Sequence, residues 1–182
     1  MASSKKKNLS KNAPVAEKKP PFDPNKKGDK KILGYVDACD DADKLRSLIV
    51  NARKLGNTVV ADAAFRRLIA LVPGVEPGSV EHDFWRTVNA FEQTLTEERG
   101  KTTRLARTRQ KVGKVGVVQT LRDWALNGHD TDGFRMLLDR GMPELTGEAI
   151  ALRHSDRFEQ PTLDAARQRL VGAGVDLNSL PQ

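Results

Sequence analysis

From about residue 37 onward, apolar residues recur every three or four positions rather than alternating, so the pattern predicts helices and no sheet. Asp40 or Asp41 can cap a helix over about 42 to 54, with Leu45, Leu48, Ile49 and Ala52 on one side and Gly56 at its stop. A second begins at Thr58 and buries Ala61, Ala64, Phe65, Leu68, Ile69 and Val72. After the loop "PGVEPGS", Ser79 starts a long third helix to about Glu98, with Phe84, Trp85, Val88, Phe91 and Leu95 facing inward. Two shorter ones follow over about 103 to 112 and 117 to 126. Thr131 or Asp132 caps a sixth carrying Phe134, Met136, Leu137 and Leu138, ended by Gly141. Pro143 and Pro161 suit the first turns of a seventh, to about His154, and an eighth, to about Val171. Short connections favour antiparallel neighbours. The expected fold class is therefore all-α: a compact bundle of seven or eight short antiparallel helices.

A chain of 182 residues fits one such domain with a tail, here divided at residue 36. Within residues 37 to 182, a helical hairpin and long helix (37–98) precede a basic segment (99–128) and a C-terminal helical section (129–182). Charge separates tail from body. Residues 1 to 31 hold ten Lys against Glu17, Asp23 and Asp29, which accounts for the whole net charge of +7, whereas the rest balances 21 bases with 21 acids. With almost nothing to bury, the tail is expected to be disordered. Its Lys5, Lys6, Lys7, Lys18, Lys19, Lys26, Lys27, Lys30 and Lys31 can lie along phosphates and add sequence-independent affinity.

The body has a basic centre of its own. Residues 99 to 122 hold eight Lys and Arg without one Asp or Glu. Arg104, Arg107, Lys111 and Lys114 fall at i, i+3, i+7 and i+10, on one side of a helix, while Lys101 and Arg109 widen the positive zone. Such a set is expected to leave cations open to an external anion, unless Glu92, Glu97 and Glu98 pair with them. The following stretch "KVGKVGVVQTLRDWALNG" resembles the helix-turn-helix of bacterial DNA-binding proteins over residues 103 to 128, although its turn is one residue short. That resemblance implies that Gln119, Thr120 and Arg122 face outward to read bases, with Leu121 and Trp124 facing in. Separately, residues 45 to 73 resemble one tetratricopeptide unit, with Gly56, Ala61, Phe65, Leu71 and Pro73 at that family's spacing. No second copy follows, and a solenoid needs about three.

Catalytic patterns are sparse. His82, His129 and His154 each stand near an aspartate, but none has a second histidine one helical turn away, as a helical metal site needs. The lone Cys39 sits among carboxylates that oppose thiolate formation. No apolar run approaches the roughly 18 residues of a membrane span. The sequence thus points to a cytoplasmic, non-enzymatic nucleic-acid-binding protein, DNA ahead of RNA, without cofactor or metal, and nucleoid-associated in a bacterium. A metal-dependent hydrolase is the enzymatic alternative; a helical adaptor for a protein partner, or a homodimer, is the competing class.

Overall fold

The computed structural model describes residues 27–72, 74–129 and 131–181, with side chains from residue 30 onward. Among the described residues all regular structure is helical: α1 Lys27–Ala38, α2 Ala42–Lys54, α3 Thr58–Ala70, α4 Val80–Arg99, α5 Ala106–Leu126, α6 Asp132–Asp139, α7 Gly147–Arg153 and α8 Gln160–Gly172, with single 3-10 turns at Pro143–Leu145, Ser155–Arg157 and Leu177–Ser179. The starts are chemically marked. Asp41 accepts the amides of Asp43 and Lys44 at 3.0 and 3.1 Å, Ser79 that of His82 at 3.1 Å, and Thr131 that of Phe134 at 3.2 Å.

Two segments depart from the sequence pattern, and a third follows it. Residues 27 to 36, read as tail, form most of α1, because Val36 is fully buried and Leu33 packs on Ala52, Val60 and Ala61 of α2 and α3. Two apolar positions suffice once α3 supplies the other half of the contact. The two helices expected over about 103–112 and 117–126 are both present within α5, divided at Gly116; the first starts later than expected, at Ala106, and runs on to the break. The expected seventh helix starts later, since Pro143 opens a 3-10 turn and Thr146 then caps α7 by accepting the Ala149 amide at 3.2 Å. Lys5, Lys6, Lys7, Lys18, Lys19 and Lys26 lie outside the described residues, as does Pro73 of the tetratricopeptide-like pattern.

Helix α4 is the wall shared by two cores. Its Ala90 and Phe91 meet the α1–α3 side, where Leu45, Ile49, Phe65 and Ile69 are buried. Its Phe84 and Val88 meet Val117 and Leu121 of α5 and Ile150 of α7. Trp124 stacks on Phe84, with centroids 5.4 Å apart, and lies so close to α7 that a Cβ on Gly147 would come within 2.9 Å of its ring. Glycine at this site permits the crossing.

Buried charge pins the C-terminal helices. Asp83, 5% exposed, accepts from Arg153 at 2.8 Å, lies 3.0 Å from His154 Nε2, and has Arg86 at 3.3 Å. Burial pushes its carboxyl up, yet the hydrogen bonds from Arg153 and His154 outweigh that and hold it below the ordinary aspartate value. Arg169 of α8 donates to Glu148 at 2.6 Å, to Trp124 O at 2.8 Å and to Asn127 O, so one guanidinium covers carbonyls at the end of α5.

Candidate nucleic-acid interface

The basic segment begins where α4 stops. Gly100 takes a left-handed conformation (φ 65°) and turns the chain into an extended connection. Two residues of α4 hold that connection: Thr96 Oγ1 accepts the Thr103 amide and Glu92 Oε1 the Leu105 amide, both at 2.9 Å. Glu92 also takes a two-pronged contact from Arg109, Nε to Oε1 and Nη2 to Oε2, each 2.8 Å. The Arg109 guanidinium lies 4.9 Å from the centroid of the Trp85 ring, which it covers. Burial raises the Glu92 carboxyl, but the Arg109 and Leu105 hydrogen bonds prevail and hold it below the usual range. Arg109 is therefore an anchor, spent inside the protein.

Beyond Arg109 the helix runs to the break at Gly116, whose φ of 81° and ψ of 172° suit glycine alone. Thr120 Oγ1 donates to Gly116 O at 2.7 Å and starts the second half. Lys111, ahead of the break, pairs with Asp123 behind it at 2.6 Å, and Gln119 donates to the same carboxylate at 2.7 Å. The hydrogen bonds from Lys111 and Gln119 hold Asp123 below its ordinary value. Arg122 lies 3.3 Å from Glu159 of the α8 cap.

The residues expected to read bases are thus differently placed. Thr120 is fully buried rather than outward, while Gln119 and Arg122 point toward protein carboxylates. Arg109 and Lys111, expected to lack local acids, find them through the fold, one on α4 and one across the break. The other cations are open. Lys101, Arg104, Arg107 and Lys114 are exposed and make no ion pair among the described residues, and the same is true of Arg99. Lys30 and Lys31 are exposed on α1; Lys27 begins that helix.

Lys101 and Arg104 also line a groove of about 980 Å³ between the α2–α3 pair and α4. Elsewhere, no group of three His, Cys, Asp or Glu among the described residues could hold a metal ion, and no described helix is long and apolar enough to cross a membrane. His82 and His154 flank buried Asp83, and His129 is exposed on the α5–α6 connection. The Asp83 cluster escaped the sequence pattern because its members lie up to 71 residues apart. The chain matches no protein-family description, no characterised protein and no solved structure.

Proposed function

We propose that this protein binds nucleic acid through the phosphate backbone, using Lys101, Arg104, Arg107 and Lys114 as the folded contact and the Lys-rich N-terminal segment as a second source of charge. One observation carries the reading. The acids named by the sequence pattern and the acid across the break each have an internal partner, Glu92 in Arg109, Glu97 in Arg53 and Arg140, Glu98 in Arg140 and Asp123 in Lys111. The four remaining cations form no ion pair among the described residues, although Arg104 lies near enough to Glu92 to lower its carboxyl. Contacts of this kind position a protein on a duplex without reading its sequence. Base recognition is no part of the proposal, since Thr120 is buried and Gln119 and Arg122 face carboxylates.

The test is fluorescence anisotropy of a labelled random-sequence DNA duplex against the full-length chain, across a series of salt concentrations, with a single-stranded RNA beside it. Arg107→Glu/Lys114→Glu alters two exposed side chains without an internal partner. Its log–log salt slope should be shallower by about 2, at about 0.9 per lost phosphate contact. An unchanged slope and affinity would remove the folded surface from the interaction.

A further inference from the structure

The groove beside Lys101 and Arg104 has two unlike walls. Ala42 and Val50 of α2 with Leu68 and Leu71 at the end of α3 make one side aliphatic; Val50 is 49% exposed. On α4, Asn89, Gln93 and Thr96 make the other polar, and Lys101 and Arg104 bring positive charge to its lining, whereas Arg46, also in the lining, is paired with Asp43 at 2.8 Å. The groove's two carboxylates offset that charge only in part, since each has a nearer partner, although Arg104 still lowers the Glu92 carboxyl. Glu92 is held by Arg109, and Glu97 by Arg53 and Arg140.

From this pairing of an aliphatic wall with Lys101 and Arg104, which form no ion pair among the described residues, we infer that the groove is a docking site for an amphipathic acidic peptide segment of a partner protein. Leucine-like residues would lie on the α2–α3 wall, and Asp or Glu would meet Lys101 and Arg104. Charge complementarity selects the acidic partner, and the aliphatic wall selects a peptide over a nucleic-acid strand. Sequence-tolerant strand binding relies on aromatic rings for base stacking, and no aromatic side chain among the described residues lines this groove. A volume of about 980 Å³ is at the upper end for small-molecule sites and suits several residues of an inserted helix. The inference does not rest on nucleic-acid binding, although the two ligands share two cations.

The probe is a fluorescein-labelled 14-residue helical peptide of Leu and Glu, with Leu at three- and four-residue spacing, titrated into the full-length protein at physiological salt. Its control is an all-Glu peptide of equal length. The Leu-containing peptide should bind at least about tenfold tighter than the control, and the charge-neutral Val50→Asn should weaken it about tenfold, the loss expected for one central contact, while leaving the all-Glu peptide unaffected. Lys101→Glu/Arg104→Glu should weaken both peptides. Because Val50→Asn adds no charge beside Lys101 and Arg104, it should bind the DNA duplex as wild type does. Equal binding of the two peptides, or a Leu-containing peptide indifferent to Val50→Asn, would overturn the inference. So would single-stranded DNA binding that Val50→Asn abolishes, since the groove would then be a strand site. Peptide binding without duplex binding would refute the nucleic-acid proposal alone, and the reverse would refute this one.

Discussion

Glu92 joins three donors, so replacing it with Gln perturbs the base of the basic segment without changing its shape. Charges about 4 Å apart at an effective dielectric of about 20 attract by about 4 kcal/mol. Relief of carboxylate desolvation returns part of that, and Gln keeps one acceptor for Leu105 or Arg109 while setting an amide NH2 against a guanidinium N–H. A net loss of about 2 kcal/mol follows, appropriate to a pair whose carboxylate is 13% and whose guanidinium is 33% exposed. In urea titrations followed by circular dichroism, the midpoint should fall by about 1 M with unchanged slope if m is about 2 kcal/mol per M. The pH dependence supplies a second reading. Because the folded carboxyl lies below its ordinary value, its stabilisation is present above that value and disappears as pH falls through the folded one. The advantage of wild type over Glu92→Gln should therefore shrink on acidification. A difference under about 0.5 kcal/mol at pH 7 would refute the anchor. A gap that stays constant down to pH 3 would refute its electrostatic basis.

Three further substitutions probe the frame. Gly116→Ala places a side chain at φ 81° and ψ 172° and should cost about 1 to 3 kcal/mol, read as a lower thermal midpoint; an unchanged midpoint would mean that the helix break relaxes freely. Gly147→Ala should cost a similar amount by pressing a methyl within 2.9 Å of the Trp124 ring, with a change in near-ultraviolet dichroism that a backbone effect alone would not give. Asp83→Asn leaves Arg153 without its carboxylate and should cost about 3 to 5 kcal/mol at neutral pH. Since the Asp83 carboxyl is also depressed, that deficit should narrow as pH falls through the folded value, and chemical denaturation at several pH values would reveal a constant deficit instead.

The helices were legible wherever an end is written in side-chain chemistry. Asp41, Ser79 and Thr131 are short oxygen-bearing residues ahead of amphipathic runs, and each caps the helix the pattern assigns to it. Helix α1 was not legible, because Ile32 and Tyr35 remain exposed and, among its described side chains, Leu33 and Val36 are the apolar ones packed on the core clusters. The candidate site was legible as a charge excess but not as a surface. Local spacing cannot report that Arg109 meets an acid 17 positions earlier, or that Lys111 meets one across a break in its own helix. Thr120 misleads for a simpler reason: a hydroxyl reads as outward, yet here it satisfies the Gly116 carbonyl inside the protein.

The guanidinium of Arg169 has a consequence for the order in which the chain can assemble. It satisfies carbonyls of Trp124 and Asn127, made 45 and 42 residues earlier. During synthesis from the N-terminus, that end of α5 must rely on water until α8 has emerged and docked. The α1–α3 helices, whose contacts are mostly local, can form while the chain is still growing. Capping of α5 by α8 is a late event, and a ribosome stalled before residue 169 would hold a folded N-terminal side beside an α5 frayed at its C-terminal end.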